Sequence, residues 1–145
     1  MTVTLNSDKT ASVSEYTITK QAPPSRATCT VEPPTGQIAK GSAPWTGQCV
    51  HFFAAVFQFD TNTGPCDFLG NYSSTRENRS YNFEGGTVRV SADTTNCDLL
   101  TPVVEDSLVE VWALVQGDES YDTTIGGTNT YTVMQLVDIE VYQQP

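Results

Sequence analysis

Apolar and polar side chains alternate over short runs along most of this chain, and turn residues separate the runs. In one of them, Val88 and Val90 fall on one side of an extended chain and Arg89 falls on the other. Threonine and valine, whose branched β-carbons favour strands, dominate the composition. The pattern predicts β-strands at residues 2–5, 12–20, 27–32, 50–60, 81–84, 87–91, 108–116 and 130–142.

These strands predict an all-β fold, because neither a βαβ alternation nor an internal repeat accompanies them. About eight strands joined by turns are typical of an antiparallel β-sandwich of the jelly-roll or immunoglobulin-like type. Residues 50–60 are apolar on both faces and predict a central strand that is covered on both sides. Residues 105–116 also fit helical spacing, but their dense valines and the early Gly117 favour a strand.

The length of 145 residues, 38% of them hydrophobic, predicts a single domain over residues 1–145. Residues 1–11 are polar and unpatterned, and we expect them to form an extended N-terminal arm. Two long loops, at residues 21–48 and 61–80, are the expected places for partner contacts. The candidate contact residues in these loops are Trp45, Tyr72, Arg76 and Arg79.

The charge is acidic and unevenly distributed. Asp and Glu outnumber Lys and Arg by 17 to 7, which gives a net charge of −10, and every Lys and Arg lies at or before Arg89. Phosphate backbones and anionic membranes would be repelled, so composition argues against nucleic-acid and membrane partners. The longest apolar run, residues 50–57, is far short of the ~20 residues that cross a bilayer. The acidic C-terminal part is expected to dock on a basic protein, or else simply to keep the chain in solution.

Four cysteines, Cys29, Cys49, Cys66 and Cys97, are spaced without a Cys-x-x-Cys pair, which argues against a zinc site. Three disulfide pairings are open. Cys29 with Cys49 would close the proline-rich loop, and Cys66 with Cys97 would pin the second loop. The alternative is four buried reduced thiols.

Few residues suggest chemistry at a site. Asp60, Asn62 and Asp67 are candidate ligands for a structural calcium ion, and a plain Asx turn is the alternative. His51, the only histidine, lies within an aromatic strand, where a structural role is expected. The chain contains no nucleophile elbow, phosphate-binding glycine loop or His-Glu-x-x-His motif. We therefore expect neither an enzyme nor a cofactor.

In its acidic, Thr- and Val-rich composition and its strand pattern, the chain resembles small capsid decoration or cement proteins of tailed phages and related viruses. The resemblance implies synthesis in the cytoplasm, then docking on the virion surface through protein contacts with a capsid shell or with other copies, as a homo-oligomer. One alternative is a lectin-like carbohydrate-binding domain, secreted or on a viral fibre, in which Trp45 and Tyr72 stack on sugars. Another is a phage tail or neck component.

Overall fold

The computed structural model describes residues 24–122 and 125–145 of the chain. The strands are β1 (Cys49–Gln58), β2 (Asp67–Ser73), β3 (Thr87–Ser91), β4 (Leu108–Asp122) and β5 (Thr128–Gln143). Short 3₁₀ helices lie at Arg26–Thr28, Ile38–Lys40, Ala43–Trp45, Ser80–Asn82 and Cys97–Leu100. The predicted arm at 1–11 and the predicted strands at 2–5 and 12–20 lie outside the described residues.

The five strands form one closed barrel in the order β1-β2-β3-β5-β4. All neighbouring pairs are antiparallel except β3 and β5, which are parallel. The predicted antiparallel sandwich of about eight strands is therefore wrong. Inward and outward residues alternate in a barrel as they do in a sandwich, so the local pattern did not separate the two. A five-stranded barrel with this strand order has the architecture of the OB-fold.

The core lies inside the barrel and is built by every second residue of each strand. Phe52 stacks on Tyr72 with ring centroids 4.9 Å apart, and Phe68 lies beside them. The valines of β3 and β4 fill the rest with Met134 and Leu136 of β5. This alternation leaves the other face of each strand pointing out of the barrel, where a ligand can reach it.

The longest strands, β4 and β5, bend to close the barrel. Their pairing shifts register at Trp112/Ala113 and again between Val115 and Gly117, as expected where β-bulges turn a strand. Past Gly117 the two strands continue as a hairpin to Asp122 and Thr128, beyond the length of β3. The hairpin therefore forms a raised edge beside the start of β3.

The strand predictions succeeded where alternation was clear. Residues 87–91 coincide with β3, and residues 108–116 lie in a strand rather than a helix. Residues 27–32 and 81–84 contribute mainly 3₁₀ turns instead of strands. The strand β2 lies inside the predicted loop 61–80. Its Gly70 reads as a turn residue, yet a side chain there would meet the Ala55 carbonyl at 3.0 Å, so close strand packing requires the glycine.

The segment before β1 covers one end of the barrel. Ile38 is buried in the core, and Gly47 donates a backbone hydrogen bond to Val115 of β4. Cys29 is joined to Cys49 at the start of β1, which fixes the segment to the barrel. None of the helices within the described residues is long and apolar enough to cross a membrane.

Candidate functional site

The outer face of β2 and β3 presents a row of polar side chains. The antiparallel register places Asp67 opposite Ser91, Leu69 opposite Arg89, and Asn71 opposite Thr87. The residues between them, such as Phe68 and Val88, point into the core. We call these six outward residues the β2–β3 face.

Arg89 lies at the centre of this face. Its Nη2 lies 2.7 Å from Asp67 Oδ2 and also approaches the Thr63 carbonyl in the β1–β2 loop. Both side chains of the ion pair are about one quarter exposed, at 27% and 26%. Burial acts to lower the pKa of Arg89, but the hydrogen bond and the charge of Asp67 outweigh it and raise that pKa. Arg89 therefore stays cationic and faces solvent in a fixed position.

The β4–β5 hairpin adds a wall beside this face. Tyr131 of β5 donates a hydrogen bond from its hydroxyl to Glu119 and also interacts with Arg89. Burial, followed by the hydrogen bond to Glu119, raises the pKa of Tyr131. At the start of β3, Lys40 and Asp118 line a pocket of about 300 Å³ together with Tyr131.

Sequence reasoning did not assign Arg89, Tyr131, Lys40 or Asp118 to a site. A signal for Arg89 was present, because an arginine between two buried valines must lie on the outside of its strand. Lys40 and Asp118 carry no such signal, since only the closed barrel brings them to one pocket.

Positive and negative charges are balanced within the stretch of sequence that contains β2 and β3. Residues 67–91, which include β2 and β3, contain three arginines and three carboxylates. Residues 90–145 contain ten carboxylates and neither Lys nor Arg. Residues 67–91 therefore lack the excess of carboxylates that residues 90–145 have.

The two predicted aromatic contact residues do not form a ligand surface. Tyr72 is fully buried, stacks on Phe52 and donates its hydroxyl hydrogen bond to the Pro33 carbonyl. Trp45 is partly buried and packs against the core. The sugar-stacking pair on which the lectin alternative depended is therefore absent.

The predicted arginines lie in the loop between β2 and β3, where both are exposed. Arg76 lies over the ring of Tyr142 at 4.1 Å, and Arg79 lines a shallow pocket with Tyr81. The Tyr142 hydroxyl donates a 2.6 Å hydrogen bond to the carbonyl of Glu77. These contacts tie the loop to the end of β5, so the structure does not bring the two arginines onto the β2–β3 face.

All four cysteines are paired, as Cys29–Cys49 and Cys66–Cys97. The alternative of four reduced thiols is not what the structure shows.

The calcium candidates have other partners. Asp60 Oδ1 accepts backbone hydrogen bonds from Asn62 and Thr63, which is an Asx-type turn. Asp67 is engaged by Arg89. Within residues 24–122 and 125–145, no three His, Cys, Asp or Glu residues are grouped so that they could hold a metal ion.

A second polar cluster covers the outer face of β1 and β4. His51 lies between two carboxylates, with Nδ1 2.7 Å from Glu32 and Nε2 2.6 Å from Glu110. Its ring stacks on Trp112, over which Arg26 lies at 4.0 Å. Trp112 is buried beneath Arg26, with 7% of its surface exposed. This cluster fastens the segment before β1 to the barrel and leaves little of its histidine exposed.

No protein-family model matches the chain, and no curated protein matches it. Two solved structures of Rim1, the mitochondrial single-stranded DNA binding protein of S. cerevisiae, are similar to it in structure. One is 14% identical with a TM-score of 0.39 and covers 67% of this chain and 95% of its own. The other is 16% identical with a TM-score of 0.35 and covers 68% of this chain and 97% of its own.

The barrel corrects the predicted function. The resemblance to capsid decoration proteins depended on a sandwich, and the chain is a barrel. The predictions of a virion protein and of a capsid shell or self-association as its partner are withdrawn with that sandwich. The prediction of no nucleic-acid partner depended on net charge, and it is withdrawn because the barrel has the architecture of OB-folds, which bind oligonucleotides and oligosaccharides. Identities of 14 and 16% do not transfer the activity of those proteins to this chain.

Proposed function

We propose that this chain binds a short stretch of single-stranded nucleic acid across the β2–β3 face. The observation that carries the proposal is the barrel order β1-β2-β3-β5-β4 with Arg89 at the centre of that face. In OB-folds the face of strands 2 and 3, flanked by the β1–β2 and β4–β5 loops, binds oligonucleotides and oligosaccharides, and a central arginine favours the phosphate-bearing ligand.

The face offers the groups that a single strand needs. The guanidinium of Arg89 can donate to a phosphate or stack on a base, and Tyr131 beside it adds an aromatic surface. Leu69, opposite Arg89, supplies apolar contact. Asn71 and Thr87 can exchange hydrogen bonds with bases and sugars.

The acidity of the chain limits the length of strand that can bind. Ten carboxylates in residues 90–145 repel phosphates that extend beyond the β2–β3 face. With one or two phosphates neutralised, log Kd should change with log salt concentration with a slope of only about 0.7 to 1.4. We therefore expect weak binding of a few nucleotides and no preference for long strands.

Fluorescence anisotropy with a labelled thymidine decamer at low salt tests this function. Arg89→Gln should weaken binding at least about tenfold, because a charge-assisted contact contributes about 1.5–3 kcal/mol. The matched control is Arg26→Gln, which removes the same charge from an arginine that is also ion-paired but lies on the other side of the barrel. It should change the Kd less than twofold.

Circular dichroism of both variants checks that the barrel is intact. Absence of saturable binding by the unmodified chain, or equal weakening by the two substitutions, would overturn the proposal. Equal weakening would mean that the oligonucleotide senses only the net charge.

A further inference from the structure

A pocket of about 300 Å³ opens at the start of β3, where the 3₁₀ turn Ile38–Lys40 meets the β4–β5 hairpin. The pocket lies at one end of the β2–β3 face, because Thr87 belongs to that face and also lines the pocket. Its size is at the lower end of the roughly 300–1,000 Å³ that small-molecule sites occupy. It is therefore large enough for one group of the size of a nucleobase.

One wall of the pocket is a carboxylate in a fixed orientation. Asp118 Oδ2 accepts a 3.0 Å hydrogen bond from the Ser42 backbone N–H, and Oδ1 accepts a 3.0 Å hydrogen bond from the Thr132 hydroxyl. A carboxylate can accept about four hydrogen bonds, so each oxygen retains capacity for a ligand donor. Burial acts to raise the pKa of Asp118, but the hydrogen bonds from Ser42 and Thr132 outweigh it and lower that pKa. Asp118 is therefore an anion that accepts hydrogen bonds at neutral pH.

The opposite charge comes from Lys40, which ends the 3₁₀ turn and lines the same pocket. Lys40 is exposed, and no ion pair holds its ammonium group to another described residue. The ammonium group is thus available to an acceptor atom of a ligand. Tyr131 supplies an aromatic side chain at the same place.

Lys40 donates hydrogen bonds and Asp118 accepts them. A ligand that contacts both residues therefore needs acceptor atoms on one edge and donor atoms on another. Guanine has the acceptors O6 and N7, which a lysine recognises, and the adjacent donors N1–H and N2–H₂, which suit a carboxylate. Adenine has no adjacent pair of donors, and thymine has no exocyclic amine. Adenine, thymine and cytosine each offer Asp118 a single donor group, so guanine alone can donate to both carboxylate oxygens while its O6 and N7 accept from Lys40.

We infer that the pocket between Lys40 and Asp118 binds a guanine base, which gives the proposed single-strand binding a sequence preference. The inference rests on the proposed function for its biological meaning, but the pocket can be tested by itself with mononucleotides.

Isothermal titration with GMP, IMP and AMP is the direct experiment. We expect GMP to bind at least about tenfold more tightly than AMP, the scale of one good bidentate contact. IMP, which lacks the exocyclic amine, should fall between them. Equal affinity for the three nucleotides, or no binding of GMP, would overturn the guanine pocket.

Two variants assign the contacts. Asp118→Asn should remove the preference for GMP over IMP, because an amide presents only one acceptor oxygen. Lys40→Gln should weaken the binding of GMP at least about fivefold. Because the Lys40 side chain is exposed, this substitution should not disturb folding. Arg26→Gln, far from the pocket, is the control and should leave GMP binding unchanged. GMP binding that survives both pocket variants would contradict the assignment.

The thymidine decamer separates this inference from the proposed function, because it contains no guanine. Decamer binding without a GMP preference would overturn the pocket alone. GMP binding without decamer binding would overturn the proposed single-strand surface and leave the pocket as a nucleotide site.

Discussion

Gly86, directly before β3, holds the 3₁₀ turn at Lys40 against the barrel. Its φ is +94°, and a Cβ atom added there would lie 2.9 Å from the Cβ of Ala39. Real Cβ atoms do not approach that closely. Gly86→Ala must therefore both strain the backbone and push the turn away from β3.

The structure provides a matched control. Gly36 has nearly the same φ, +92°, and a Cβ there would meet nothing within 4 Å. Gly36→Ala thus introduces only the backbone strain, about 1–2 kcal/mol for a left-handed residue. Gly86→Ala adds the overlap with Ala39, and overpacking costs about 1–3 kcal/mol. The loss of unfolded-state entropy is the same in both variants and cancels in the comparison.

Equilibrium urea unfolding, followed by tryptophan fluorescence at neutral pH, measures both variants. We expect Gly86→Ala to lower the free energy of unfolding by about 2–5 kcal/mol and Gly36→Ala by about 1–2 kcal/mol. Gly86→Ala should also weaken the binding of GMP, because displacing Ala39 also moves the next residue, Lys40, which lines the pocket. If the two variants unfold at the same urea concentration, the contact between the turn and β3 does not hold.

Three further outcomes follow from contacts elsewhere in the barrel. Replacing Cys66 and Cys97 together by serine should lower the free energy of unfolding by about 3.7 kcal/mol, the chain-entropy value for 31 residues, and a loss below about 1 kcal/mol would contradict it. The pKa of Asp118 is lower in the folded chain, so its stabilising effect is present above the ordinary value of about 3.9 and is lost as the pH falls through the folded pKa. Urea unfolding should therefore show Asp118→Asn costing more stability at neutral pH than at pH ~3, and an equal cost at both would refute the assignment. Burial, followed by the charge of Glu32, raises the pKa of Tyr72. The folded state should therefore become less stable as the pH rises above about 10, the ordinary pKa of tyrosine. In melting experiments, Tyr72→Phe should reduce this loss of stability at alkaline pH.

Local alternation was sufficient to find most of the barrel strands. The stretch around Val88 and Val90 predicted β3 in full, and β1, β4 and β5 were located with shifts at their ends. The strand β2 was not predicted from the sequence, because Gly70 and Asn71 are residue types that favour turns. Tertiary packing overrides that propensity here, since β2 is paired on both sides and Gly70 lets the β1 backbone approach.

Closure of the sheet could not be predicted from local pattern. A sandwich and a barrel differ in which strands pair, and the deciding contact is the parallel pairing of Val88 and Val90 with Thr132 and Met134. That pairing joins strands that are distant in sequence, and no periodicity within either strand encodes it. The pocket depends on the same closure, because Lys40 and Asp118 line one cavity only when β4 and β5 extend past the start of β3.

The predicted exclusion of a nucleic-acid partner used the total charge, which does not describe any one surface of the barrel. A net charge of −10 describes the whole chain, but at physiological salt a charge is felt over only about 8 Å. A phosphate at Arg89 therefore senses Asp67, Tyr131 and their immediate neighbours far more than the carboxylates at the end of β5. The arginines and carboxylates of residues 67–91 balance, so the local field there does not follow from the composition. Whether an anion can bind is decided by which side chains the barrel places around it.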